Sequence, residues 1–133
     1  MKKILALMAL STALVGCTQT SPMRHSYHYA SHQTSLVSGT YVIKPSTTAK
    51  KNLPAVESVY NQGKSDRANG VTEVVALQNV AGIKKANLQT KVKGTFINAP
   101  QAGSTVEQIE LRDAQLWADE LSKAYLDGYS GIE

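Results

Sequence analysis

The pattern of hydrophobic and polar positions changes several times along the chain. An apolar run, Ile4–Val15, stands near the start and is interrupted only by two small hydroxyl residues. The stretch 18–35 that follows is rich in Ser, Thr and His and has almost no aliphatic side chains, so it cannot bury itself. Short apolar runs and polar turns then alternate to the end. These changes predict three parts: 1–16, 17–35 and 36–133.

Two segments of the third part have the pattern of β-strands. Leu36–Ile43 is rich in β-branched residues and ends before Pro45, which predicts a strand. Apolar or small residues alternate with polar ones through 88–96, which predicts a strand with one covered face. The segments 54–62 and 71–80 fit either a helix or a strand, and Pro54 could begin a helix.

The last segment has the pattern of an amphipathic helix. Ser104 and Glu107 form a capping box, and Gly128 is placed as the residue that follows the helix. The apolar stripe at helical spacing consists of Ala114, Trp117, Ala118, Leu121, Ala124 and Tyr125. This stripe is expected to pack on its own domain; alternatively, Trp117, Leu121 and Tyr125 face a partner. The segment 36–133 is therefore predicted to be a small α+β domain, with an antiparallel sheet and an amphipathic C-terminal helix.

The first residues predict export. Lys2 and Lys3 give a positive start, and the apolar run after them is shorter than the roughly 20 residues that a spanning helix needs. A basic start, a short apolar run and small residues at its end are typical of a secretory signal peptide.

The end of that run, Leu14-Val15-Gly16-Cys17, resembles the lipobox of bacterial lipoproteins. The resemblance implies that segment 1–16 is cleaved and that the Sγ atom of Cys17 carries lipid, with acyl chains such as palmitate. It also implies that Thr18 favours the outer membrane, because an aspartate after the cysteine tends to retain such proteins at the inner membrane. The expected location is lipid-anchored at the outer membrane and facing the periplasm.

Composition sets limits on the mature chain. Cys17 is the only cysteine, so residues 17–133 cannot form an internal disulfide bond. Between Lys44 and Lys93 there are nine basic and three acidic residues, whereas 104–133 has two basic and seven acidic. We interpret the two regions as solvated faces that attract each other; the alternative is a basic surface for anionic headgroups or an acidic partner. Nucleic-acid binding is not expected, because the basic residues are not interleaved with aromatic ones.

All three histidines lie in the segment 17–35, at His25, His28 and His32. On a helix this spacing places them on one face, and three imidazoles could bind zinc or copper. No Asp, Glu or Cys lies near the histidines in the sequence to complete such a site. We therefore interpret 17–35 as the lipid anchor and a flexible His-rich tether, and keep metal binding by these histidines as an alternative.

No catalytic constellation is recognisable. The histidines lie in the predicted tether and the only thiol carries lipid, so no nucleophile has a base beside it. We expect neither an enzyme nor a cofactor. The predicted function is that of an accessory or structural subunit of an envelope assembly, of the secretion, conjugation, pilus or flagellar type. Its expected partners are the membrane, through Cys17, and an envelope protein; the alternative is a periplasmic metal-ion-binding lipoprotein.

Overall fold

The computed structural model describes residues 19–33, 44–92 and 105–133. These ranges form four α-helices: α1 (Ser21–His32), α2 (Pro45–Ala68), α3 (Glu73–Val92) and α4 (Thr105–Ser130). They contain no strand, so the predicted α+β fold with an antiparallel sheet is wrong. This part of the chain is an all-helical bundle.

Helix α4 is the centre of the bundle. The other three helices all pack against it, and α1 also packs on α2. The amphipathic helix predicted at the end of the chain is thus confirmed, although it packs on helices instead of a sheet. One core cluster joins Val56 of α2 to Leu121 and Ala124. A second joins Ala76 of α3 to Tyr125 and Tyr129.

Two glycines allow α2 and α4 to approach closely. A Cβ atom on Gly63 would overlap the backbone oxygen of Tyr125, and one on Gly128 would overlap that of Tyr60. The placement of Gly128 after the helix is therefore wrong, since it lies inside α4. Gly131, with a φ of 75°, follows the helix instead and adopts the left-handed conformation that favours glycine.

The predicted strand 88–96 is wrong where it can be compared, because α3 continues to Val92. Its remaining residues, the whole strand 36–43 and the cap residue Ser104 lie outside the described ranges.

The packing of α3 explains why it is a helix. Ala76, Val80 and Ile83 recur at helical spacing and pack into the second core cluster. This packing outweighs the strand preference of valine and isoleucine, which is a weak and context-dependent effect.

The two ambiguous segments are helical. Residues 54–62 lie within α2, which begins at Pro45 in its first turn and continues through Pro54. Residues 73–80 form the first half of α3, after an exposed turn at Asn69–Gly70. Pro54 therefore does not begin a helix, because α2 has already begun at Pro45. It lies inside α2, where a proline removes one backbone hydrogen bond.

Residues 21–32 form a docked helix, which corrects the prediction of a flexible tether there. Ser26, Tyr29 and Ala30 are buried on one side of α1. The Ser26 hydroxyl donates a hydrogen bond of 2.5 Å to the backbone oxygen of Ala49 in α2. Small side chains let the helices approach while the serine hydroxyl is satisfied, so α1 packs without Val, Leu or Ile.

Candidate functional site

The main polar site of the described residues lies between α1 and α4. We call it the α1–α4 cluster. Its members are Ser21, Arg24, His25 and His28 on α1, and Glu120, Lys123 and Asp127 on α4. On α4 these residues are three, four or seven positions apart; on α1 Ser21, His25 and His28 have the same spacing and Arg24 precedes His25. This places them on one side of each helix. The two faces meet because both helices pack in the bundle core.

His25 is the centre of the α1–α4 cluster. Its Nδ1 lies 2.7 Å from Oε2 of Glu120, and its Nε2 lies 3.0 Å from Oδ2 of Asp127. A neutral imidazole has one N–H, whereas an imidazolium has two. Both carboxylate contacts are hydrogen bonds at once only when His25 is protonated. The geometry therefore favours a charged imidazolium between two carboxylates.

The pKa values agree with this arrangement. Burial acts to lower the pKa of His25, but hydrogen bonds to Glu120 and Asp127, with their charges, raise it above 6.5 overall. Burial acts to raise the pKa of Glu120, whose side chain is 2% exposed, but bonds to His25 and Lys123 lower it from 4.5 to about 2. Both shifts favour the ionised forms of the two side chains.

Further contacts complete the cluster. The Ser21 hydroxyl donates to Oδ2 of Asp127 at 2.6 Å, and Nζ of Lys123 lies 2.9 Å from Oε1 of Glu120. His28 approaches Glu120 at 3.1 Å. Among the described residues no buried side-chain nitrogen or oxygen lacks a partner. A polar network in which every member is satisfied fixes one arrangement of the two helices.

The cluster holds a serine, a histidine and an aspartate, but their order does not suit nucleophilic catalysis. Activation of a serine requires its hydroxyl to donate to the histidine. Here Ser21 is fully buried and donates a hydrogen bond to Asp127, which also accepts one from His25.

The contact between the histidines and the carboxylates could not be predicted from the sequence, because His25 and Glu120 are 95 positions apart.

The three candidate metal ligands do not converge. Both ring nitrogens of His25 face carboxylates, and Nδ1 of His32 lies 2.8 Å from the backbone oxygen of His28. The rings of His28 and His32 stack with centroids 4.1 Å apart. Within the described ranges, no group of three or more His, Cys, Asp or Glu residues could hold a metal ion. No observation here favours the metal-binding alternative.

The three residues proposed to face a partner from α4 instead face the protein's own core. Leu121 is 4% exposed and Tyr125 is fully buried. The Tyr125 hydroxyl donates to Asp66 at 2.6 Å and lies 3.1 Å from Asn79. Trp117 packs against the first core cluster, with its ring 4.8 Å from that of Tyr29. The alternative of a partner-facing stripe on α4 is therefore corrected.

Exposed apolar side chains concentrate instead at the start of α3. Val74 is 67% exposed, Val75 is 42% and Leu77 is 52%. Val74, Leu77 and Ala81 share one face by their spacing of three and four, away from the face that packs on α4. We call these three the α3 row. Compact apolar patches on a protein surface often mark interaction sites.

Part of the charge asymmetry of the sequence appears in the structure as an ion pair between α3 and α4. Nζ of Lys84 on α3 lies 2.8 Å from Oδ1 of Asp119 on α4, which joins the basic middle of the chain to its acidic end. Lys50, Lys51 and Lys85 are exposed on α2 and α3.

Cys17 and the lipobox lie outside the described residues. No described helix combines the length and apolar character needed to cross a membrane. No protein-family model, no curated protein and no solved structure matches this chain.

Proposed function

We propose that this protein is a lipoprotein, anchored to the outer membrane through Cys17, that acts as an accessory or structural subunit of an envelope assembly. The observation that carries the proposal is Leu14-Val15-Gly16-Cys17 directly after a charged start and a short apolar run. The domain behind the anchor offers an apolar surface for a partner and no activated nucleophile among its described residues. This combination suits a tethered binding module.

Cys17→Ser tests the anchor. A hydroxyl is a far weaker nucleophile than a thiolate, so the variant should take up no fatty acid and should retain its signal segment. The measurement is metabolic labelling with a fatty acid, followed by fractionation of the envelope. Wild-type protein that takes up no label, or that is soluble in the periplasm, would refute the lipoprotein proposal.

For the partner contact, the proposal commits to the α3 row. Its occupant is an apolar segment of an envelope protein that also carries carboxylates. The carboxylates are inferred from Lys85, which is exposed and lies beside the row. Among the described contacts, Lys85 makes no ion pair with an acidic side chain. A lipid anchor would hold this surface at high local concentration near such a partner.

Val74→Glu with Leu77→Glu should abolish the partner contact. The two glutamates replace apolar contacts with charges and repel the partner's carboxylates, while the exposed positions leave the fold intact. The measurement is cross-linking in intact cells followed by native gels of detergent extracts. Ala55→Glu with Ser58→Glu, at two exposed positions of α2, adds the same charge on another helix and is the matched control. Wild-type protein that runs only at monomer mass with cross-linker would contradict the assembly proposal.

A further inference from the structure

The end of the bundle where α1 begins and α4 ends lies very close to the proposed lipid site. Cys17 is two residues before Gln19, a distance of at most about 7 Å along an extended chain. Nη1 of Arg24 donates to the backbone oxygens of Gln19 at 3.2 Å and of Glu133 at 2.9 Å. Gln19 is thus held to the domain, and no long tether separates them.

The thickness of the headgroup layer shows how close this end of the bundle must lie to the membrane. The headgroup layer of one leaflet is about 5–8 Å thick, from the difference between the whole bilayer and its hydrocarbon core. A lipid on Cys17 has its glyceryl group in that layer. Gln19, and with it this end of the bundle, must then lie at the headgroup surface.

The side chains at this end suit such a surface. Ile132 is an exposed apolar residue, at 48%, and its backbone oxygen accepts a hydrogen bond from the Tyr60 hydroxyl. Nζ of Lys64 lies 5.7 Å from the centre of the Tyr60 ring. The guanidinium of Arg67 lies 5.3 Å from the ring of Tyr129, next to the end of α4. Arg24, Lys64 and Arg67 are all exposed, as are Ile132 and Glu133.

We propose that this end, which we call the anchor end (Gln19, Arg24, Lys64, Arg67 and Ile132), rests on the membrane. Its three cations contact the phosphates of anionic phospholipids and Ile132 enters the interface. Basic side chains gain from the negative potential of such lipids, and apolar ones from burial at the headgroup boundary. The inference rests on the proposed lipidation of Cys17. It goes further, because it fixes which way the domain faces.

The test is made on the full-length protein, extracted with its lipid and inserted into vesicles of phosphatidylethanolamine and phosphatidylglycerol. A fluorophore is attached to Ser130→Cys, near the anchor end, or to Gln115→Cys; both positions are exposed on α4. Fifteen residues of helix separate the two labels by about 22 Å. A quencher carried on lipid headgroups should quench the Ser130→Cys label severalfold more than the Gln115→Cys label. Equal quenching of both labels would overturn the proposal.

A second set of variants tests the phosphate contacts. The triple change Arg24→Gln, Lys64→Gln and Arg67→Gln should remove most of the difference between the two labels. The matched control is Lys44→Gln, Lys50→Gln and Lys51→Gln, which removes the same charge elsewhere on the surface and should preserve the difference. Circular dichroism confirms that both variants are folded. A triple variant that keeps the full difference would overturn the role of the cations.

The outcomes separate this inference from the proposed function. Fatty-acid label on Cys17 with equal quenching of the two sites would leave the lipoprotein proposal intact and refute the membrane-facing end. Wild-type protein without fatty-acid label would refute both. Equal quenching in vesicles, with protection of the Ser130→Cys label only in native envelopes, would assign the anchor end to a protein partner and overturn the lipid contact.

Discussion

At the scale of a single residue, we expect His25 to make the stability of the bundle depend on pH. Its imidazolium lies between Glu120 and Asp127, and all three side chains are at least three-quarters buried. These three charged groups form one interaction. Its stabilisation exists only where the histidine is protonated and the carboxylates are ionised.

The sign of the pH dependence follows from the direction of each shift. The pKa of His25 is raised above 6.5 on folding, so its contribution is complete below 6.5 and is lost as pH rises through the folded value. The pKa of Glu120 is lowered from 4.5 to about 2, so its contribution is complete above 4.5 and is lost as pH falls towards 2. We expect the free energy of unfolding to be greatest between these limits and to fall on the alkaline side.

His25→Gln should lower the free energy of unfolding at about pH 6 by about 1–3 kcal/mol and flatten its alkaline decline. Urea unfolding at several pH values measures both effects. His32→Gln is the matched control, because His32 contacts only its own turn and stacks on His28. An alkaline decline that survives in His25→Gln would show that another group causes it.

At the scale of elements, α4 could be predicted and the others could not. The α4 stripe is amphipathic, and its residues from Ala114 to Tyr125 are almost all buried as the pattern requires. In α3 the contrast is lost, since Val74 and Leu77 are exposed while Ala76 and Val80 face the core. In α1 the buried side is formed by two serines, a proline, a tyrosine and an alanine, and its ionic partners are on a helix far along the chain. Local periodicity contains none of this information.

The contact between α2 and α4 depends on having no side chain at its centre. Gly63→Ala should lower the free energy of unfolding by about 1–3 kcal/mol or more, because the new methyl group would overlap backbone atoms that cannot rotate away. Thermal unfolding measures the change. Gly82→Ala is the control: its Cβ would meet nothing within 4 Å, and alanine favours the helix by up to about 1 kcal/mol. Equal effects of the two changes would argue against the close approach.

At the scale of the whole molecule, the domain includes residues that composition alone assigns to a linker. The α1–α4 cluster and the contact of Ser26 with Ala49 make α1 part of the bundle. The lipobox is a local pattern and could be read directly. The distance between anchor and domain depends on where the first helix begins, and so it required the structure.

Hydrogen exchange should show that α1 belongs to the cooperative unit. The amides of Ser26–Ala30 are expected to exchange as slowly as those of Ala118–Tyr125, because both segments open only when the bundle unfolds. Gln19 and Thr20, which are exposed and precede α1, provide the fast-exchanging reference. Fast exchange throughout α1 would instead support the flexible tether.

The central place of α4 has a consequence for the order of events during synthesis. The residues that complete both core clusters, Leu121 and Tyr125, leave the ribosome after the residues of α2 and α3 that they pack against. Until then Val56 and Ala76 have no α4 to pack on, and neither core cluster can form. A premature stop before Thr105 would therefore leave a chain without either cluster, open to proteolysis.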